Sequence, residues 1–187
     1  MDTELYWLKR GSGYLSEFKR HNPLTRYRFW RQEQAIRNAL PNDIESVLEI
    51  GCGFGRITKI LLENHDIERI VATDISPDQI ASAKRQITDD RVEFQVISVL
   101  DLDYHNEFDL VIASEVLMHI PPHQIRDVVN RMERASRQYV MNVDWHAPGE
   151  PLEAGGYCWQ HDYCSLHSGA KLVKKLHRQG IFLGHVD

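Results

Sequence analysis

The stretch VLEIGCGFGR, residues 47–56, decides the fold. Val47–Ile50 is a short apolar run of strand length. Glycines follow at 51, 53 and 55, and a helical stretch, Arg56–Asn64, begins at once. Glycine reaches backbone angles closed to other residues and lets a ligand approach the main chain. A strand, a glycine turn and a helix in that order predict the first unit of an open parallel sheet, whose ligands settle beyond the carboxyl ends of the strands. A dinucleotide fingerprint would place its third glycine at position 56; here that position is Arg56 and the glycine is Gly55, which argues against a nicotinamide or flavin dinucleotide.

Downstream, strand and helix signals alternate. Ile70–Thr73 predicts a second strand, Ser76–Pro77 opens a helix toward Gln86, and Val92–Val96 and Leu110–Ala113 predict the third and fourth strands. Pro121 and Pro122 open a helix through about Ala135, and Gln138–Val143 supplies a fifth strand. Short apolar strands between amphipathic helices predict a parallel sheet covered on both faces. Lys171–Arg178 and Ile181–Val186 predict an antiparallel hairpin turning at Gln179–Gly180. The expected fold class is therefore α/β, a Rossmann-like doubly wound sheet, mostly parallel, with a C-terminal antiparallel hairpin.

Upstream, Pro23 starts a helix that ends near Ala39 or Leu40, before Pro41 and Asn42. Gly11 and Gly13 are expected to interrupt any long helix before it. The expected organisation is one domain over 1–187, with a helical cap over 1–42, a cofactor-binding core over 45–143, and a substrate-side loop with the terminal hairpin over 144–187. The loop over residues 144–170 holds Pro148, Gly149, Pro151, Gly155 and Gly156 and reads as a loop or lid before a short helix.

Composition narrows the function classes. A chain of 187 residues with 42% hydrophobic and 26% charged residues suits one globular domain. Its formal net charge of −5 gives no overall attraction for nucleic-acid phosphates. Lys9, Arg10, Lys19, Arg20, Arg26, Arg28 and Arg31 make the N-terminal segment locally basic, as solvated charge or as an anion-capturing surface. Cys52, Cys158 and Cys164 are too few for a disulfide framework. The start MDTELYWLKR lacks a signal-peptide pattern, and no apolar run reaches membrane-spanning length; the expected location is cytoplasmic, without a membrane partner.

Two carboxylates stand at the predicted crevice. Asp74 follows the second strand, 23 positions beyond Gly51, where a carboxylate can accept hydrogen bonds from ribose hydroxyls. Glu49 lies inside the first strand, and a buried carboxylate calls for donors or a cationic ligand group. Helix capping or an exposed loop would be the structural alternative for either.

VLEIGCGFGRIT, VATDISPDQI, VEFQVISVLDLD and FDLVIASEVLMHIPP resemble, in order and spacing, the successive cofactor motifs of the class I S-adenosylmethionine-dependent methyltransferases. The resemblance covers residues 45–143 and implies S-adenosylmethionine as cofactor. It implies that Gly51, Cys52, Gly53 and Gly55 form the turn beside the methionine portion of the donor. It also implies that Glu49 helps hold the donor's amino group, often through water, and that Asp74 binds the ribose. By the same resemblance, Ile75, Ser98 and Val99 lie at adenine. Many members carry Asp at the position of Ser98, and Ser offers no charged acceptor there. Ser114 and Glu115 fall near the methyl-transfer centre. His119, four residues beyond Glu115, would share its helical face, as a proton acceptor or as a packing residue.

The segment after the fifth strand offers Asp144, His146, His161, Asp162, Tyr163 and His167. Of these, His161, Asp162 and Tyr163 are the candidate acceptor-handling group, against the alternative of core packing, and no metal site is expected. Tyr6, Trp7, Tyr14, Tyr27 and Trp30 either roof the transferred methyl or fasten the N-terminal helix. The expected function is methyl transfer to an oxygen or nitrogen of a small polar metabolite, such as a sugar derivative. A protein acceptor, or a catalytically inactive cofactor-binding scaffold, remains the alternative. The fourth strand ends in ASEVLMH rather than a Pro-Pro-Tyr or Pro-Pro-Phe signature, and there is no strong nucleic-acid signal.

Overall fold

In the computed structural model, which describes residues 3–167, 169–176 and 179–186, the alternating apolar runs become strands whose neighbouring residues point to opposite faces. The parallel strands are β1 (Ser46–Ile50), β2 (Arg69–Asp74), β3 (Val92–Val96), β4 (Phe108–Ser114) and β5 (Ser136–Trp145). Val47, Ile70, Leu110 and Met141 join one core, with Ile36, Ile57, Ile60 and Leu61. Their neighbours Leu48, Val71, Val111 and Val140 join the other, with Val128, Val129 and Met132. Burial on both faces explains why these strands read as continuous apolar runs.

The helices supply the two covers. α1 spans Thr3–Lys19, α2 Pro23–Ala39, α3 Arg56–Leu62, α4 Pro77–Gln86, α5 Ile125–Ala135 and α6 Tyr163–Leu166. The Asn22 side chain accepts from the N–H of Thr25, and Ser76 from that of Gln79; each precedes a proline at the first turn, so cap and fixed φ start the helix together. A separate hairpin pairs β6 (Leu152–Gly155) with β7 (Cys158–Gln160), and β8 (Lys171–Lys175) and β9 (Gln179–His185) complete the main sheet. The order β3-β2-β1-β4-β5-β9-β8 has β9 antiparallel to both neighbours, which is the mostly parallel, doubly wound sheet with an antiparallel hairpin at its end. Successive strands are added to one side of β1 through β2 and β3 and to the other side through β4 and β5. This reversal of strand order between the parallel neighbours β1 and β4 is a switch point that opens a crevice beyond the strand ends.

Three local expectations are corrected. α1 runs unbroken through Gly11 and Gly13. At Gly11 the helix crosses α4 so closely that a Cβ would lie 1.9 Å from Ser76 Oγ, and Gln79 Nε2 donates to the Gly11 carbonyl at 2.6 Å. Glycine here permits helix contact rather than breaking the helix. Gly180 lies within β9, not in the turn, packed against Leu172 and Phe182. The turn joins Leu176 to Gln179, which exchange backbone hydrogen bonds at 2.8 and 3.2 Å; His177 and Arg178, placed in the first arm by the sequence, lie outside the described residues. The loop after β5 is partly the β6–β7 hairpin.

Candidate active site

The crevice at the switch point is a cavity of about 1160 Å³, its open mouth included. Gly51, Cys52 and Gly53 form its floor, with Gly51 at φ 68° and Gly53 at φ 57°, backbone that disfavours any side chain. The Cys52 N–H donates to the Thr73 carbonyl at 2.8 Å, which ties the turn to β2. Asp74 sits beside it: Oδ2 accepts from the Gly53 N–H at 2.9 Å and Oδ1 from the Ser76 N–H at 2.8 Å. Burial pushes this carboxyl up, against those two donors. Ile75, Ser98, Val99, Ser114 and Glu115 continue the wall.

Glu49 and Gly55 lie outside the lining. Gly55, at φ 90°, precedes the first residue of α3. Glu49 is buried in β1, 2% exposed, where the Thr58 hydroxyl donates to Oε2 at 2.6 Å. Burial raises its pKa to about 7, with Thr58 and Arg56 opposing.

His119 lines the cavity from the short 3-10 turn Leu117–His119. Its Nδ1 is 3.0 Å from the Tyr157 carbonyl, which can only accept, so Nδ1 carries the proton and Nε2 keeps a lone pair. Burial lowers the ring's pKa below its ordinary 6.5, so the ring is neutral at pH 7. The turn is anchored from below by fully buried Asp144, which accepts from the Met118 N–H at 3.2 Å and from Asn142 Nδ2 at 3.3 Å, and whose carboxyl is pushed up to about 7 by burial. Glu115 does not share a helical face with His119. It precedes the turn at φ 59°, and its carboxylate accepts from Arg56 at 3.2 Å and Gln179 at 2.7 Å.

The acceptor-handling trio is placed elsewhere. His161 is fully buried, with Nε2–H donating to the Ile120 carbonyl at 3.0 Å; Tyr163 is fully buried against Phe182. Asp162 accepts from the Gly149 N–H at 3.0 Å. None of the three lines the cavity. His161 anchors the segment after the β6–β7 hairpin through Ile120, and Tyr163 packs its ring into the core, roles that residue type alone does not separate from catalysis.

The roof comes from α1. Thr3, Glu4, Trp7, Tyr14 and Phe18 line the cavity. Trp7 stands edge-on to His119 with centroids 4.7 Å apart, and Tyr6 stacks on Tyr157 at 4.5 Å. Burial and the charge of Glu115 raise the Tyr14 phenol above its usual 10, so it is a neutral hydroxyl. Tyr27 and Trp30 are corrected out of this roof: they stack on each other at 5.7 Å on the outward face of α2, 54% and 53% exposed. Sequence reading also passed over Arg56 as a site residue, noting it only as an interruption of the glycine pattern. It lines the cavity and lies 3.5 Å from Glu33 and 5.1 Å from the Phe29 ring centre. Its place just after the glycine turn was the available signal.

A family model described as a methyltransferase domain matches residues 47–138, the span that builds this crevice. Residues 47–138 carry a class I S-adenosylmethionine-dependent methyltransferase domain. The chain is 35% identical over 68 residues to a malonyl-(acyl-carrier protein) O-methyltransferase of Acetivibrio thermocellus, covering 36% of this chain and 24% of that protein. It is 28% identical over 131 residues to the ribosomal RNA small subunit methyltransferase C of Pasteurella multocida, covering 68% and 38%. The chain spans about a quarter to two fifths of the length of these curated relatives. In fold it is similar to the magnesium protoporphyrin IX methyltransferase of Synechocystis PCC 6803, solved with bound S-adenosylmethionine, at a TM-score of 0.77 over 100% of this chain and 98% of that one, with 13% identity. No helix among the described residues is long and apolar enough to cross a membrane.

On the proposal that a donor's ammonium lies near it, Glu49 carries a prediction about donor binding. Its carboxyl is about half protonated at pH 7, and an ammonium group bound nearby favours the charged form, so its pKa falls on binding. S-adenosylhomocysteine, which carries that ammonium, should release a proton from the protein between pH 6 and 7, and none above about pH 8.5, where Glu49 is already ionised. Calorimetry in buffers of different ionisation enthalpy measures this, and Glu49→Gln should abolish it. Proton release unchanged by that substitution would place the ammonium away from Glu49.

Proposed function

We propose that this chain transfers the methyl group of S-adenosylmethionine to an oxygen or nitrogen of a small polar metabolite, a sugar derivative among the candidates. The observation that carries the acceptor size is the roof: α1 lines the cleft with Trp7 and Tyr14, which supports an enclosed molecule over an open peptide groove. The residues fit the donor. Asp74 offers acceptor oxygens to a ribose diol, the backbone at Gly53 is open to close approach, and the buried Ser114 Oγ and Trp7 Nε1 have no hydrogen-bond partner among the described residues. When bound, S-adenosylmethionine supplies an electrophilic methyl on a sulfonium.

This chain's own contribution is alignment, enclosure and proton management. Gly51 to Gly53 and Asp74 hold the donor, with Glu49 set beneath them. Ring edges and faces of Trp7 and Tyr14 exclude water and favour a cationic centre. His119 Nε2 accepts the proton that a hydroxyl or ammonium acceptor must lose, while Nδ1–H on the Tyr157 carbonyl fixes the ring. No side chain serves as a nucleophile.

The test is methyl-labelled S-adenosylmethionine offered with a panel of small hydroxyl, carboxylate and amine acceptors, and separately with protein and RNA fractions. Label entering a small acceptor with S-adenosylhomocysteine formed in equal amount is the expected result. Label confined to protein or RNA would overturn the small-acceptor reading.

A further inference from the structure

The cleft wall formed where β2 and β3 end contains a carboxylate that does not come from the sheet. Glu4, in the first turn of α1, is half-buried, lines the cleft and accepts a hydrogen bond from the Ser98 hydroxyl. Ser98 Oγ in turn accepts from the Leu100 N–H at 3.1 Å, so this hydroxyl already works as donor and as acceptor. Glu4 can only accept, and its Oε2 has no hydrogen-bond partner among the described residues. The strand ends are tied together, because the Ile97 N–H donates to the Asp74 carbonyl at 3.1 Å. If Asp74 holds the ribose, the base lies along Ile75, Ile97 and Val99, and the polar group at its far edge is the Ser98–Glu4 pair.

We propose that Glu4 reads the donor's base, its carboxylate accepting the exocyclic amino group of adenine. This rests on the methyl-donor reading above and adds to it which residue selects the base. A carboxylate at this edge favours a purine with an amino group at position 6 and rejects one with a carbonyl there, since two acceptors facing each other repel and leave both unpaired. The base-reading group then rides on the same helix that brings Trp7 and Tyr14 over the reacting end, so donor recognition and closure of the acceptor pocket are one event.

The test titrates S-adenosylhomocysteine and S-inosylhomocysteine into the unmodified protein, Glu4→Ala, and the double variant Glu4→Ala with Ser98→Asp. The unmodified protein should prefer the adenosyl ligand by about 10- to 100-fold. Glu4→Ala should lose about tenfold or more in adenosyl affinity, with the preference falling toward one. Moving the carboxylate to position 98 should restore the preference although the bond between α1 and Ser98 is gone. That rescue separates base reading from mere fastening of the helix, and it shows that the variant fold is intact. An equal loss for both ligands without rescue, or a preference undiminished in Glu4→Ala, overturns the proposal. If the unmodified protein binds neither ligand, the donor reading fails first and this inference with it.

Discussion

His119→Ala is expected to lower methyl transfer by about 10²- to 10⁴-fold, the span of a lost proton acceptor, while S-adenosylhomocysteine affinity stays within about threefold. The separation follows from geometry. His119 sits on the 3-10 turn after β4 and packs against Trp7, whereas Gly53 and Asp74, the groups proposed to hold the donor, sit on the glycine turn and at the end of β2. The sign of the pH effect follows as well. Burial disfavours the imidazolium, so the ring loses its proton below the ordinary 6.5. With the donor saturating, so that Glu49 is already ionised, kcat/KM for the acceptor should therefore rise with pH through a value below 6.5, and that limb should vanish in His119→Ala. Steady-state kinetics beside calorimetry checks both. Full turnover in the variant removes His119 from the chemistry, and an equal loss of donor affinity reduces it to a prop for the roof.

Asp74→Ala is expected to weaken S-adenosylhomocysteine binding by about 1–3 kcal/mol, roughly 5- to 150-fold, in a protein that remains folded. Two losses combine. The variant removes the acceptors proposed for the ribose hydroxyls, and it releases the Gly53 and Ser76 N–H groups that hold the glycine turn and the start of α4. Asp74→Asn keeps one acceptor oxygen and should fall between the two. Matched calorimetry and circular dichroism decide it; unchanged affinity in folded Asp74→Ala would remove Asp74 from the donor site.

Sequence reading located the parallel core because its signals are local. VLEIGCGFGR carries strand, turn and helix within ten residues, and the proline-led starts of α2 and α4 are each capped by their own preceding residue. Asp74, Ile75, Ser98, Val99 and Ser114 line the cleft because each ends or closely follows a strand of the parallel sheet, and strand ends converge on the switch point. What local signals did not carry was decided by packing across the chain. Gly11 reads as a helix breaker until α4 is seen to need its missing side chain. His161 and Tyr163 have the residue types of a catalytic group, yet both are buried, against Ile120 and Phe182. Tyr27 and Trp30 resemble Trp7 and Tyr14 in kind; only the face that α2 presents to the sheet, marked by Gln32 and Ile36, separates them. The bond between Glu4 and Ser98 spans 94 positions, and no spacing rule reaches that far.

The central claim, that the switch-point cleft takes a methyl donor rather than a dinucleotide, is tested most directly by titrating the unmodified protein with S-adenosylhomocysteine and, in parallel, with nicotinamide and flavin dinucleotides. The account predicts saturable binding of S-adenosylhomocysteine and no saturable heat from the dinucleotides. Saturable binding of a dinucleotide with none of S-adenosylhomocysteine would contradict it.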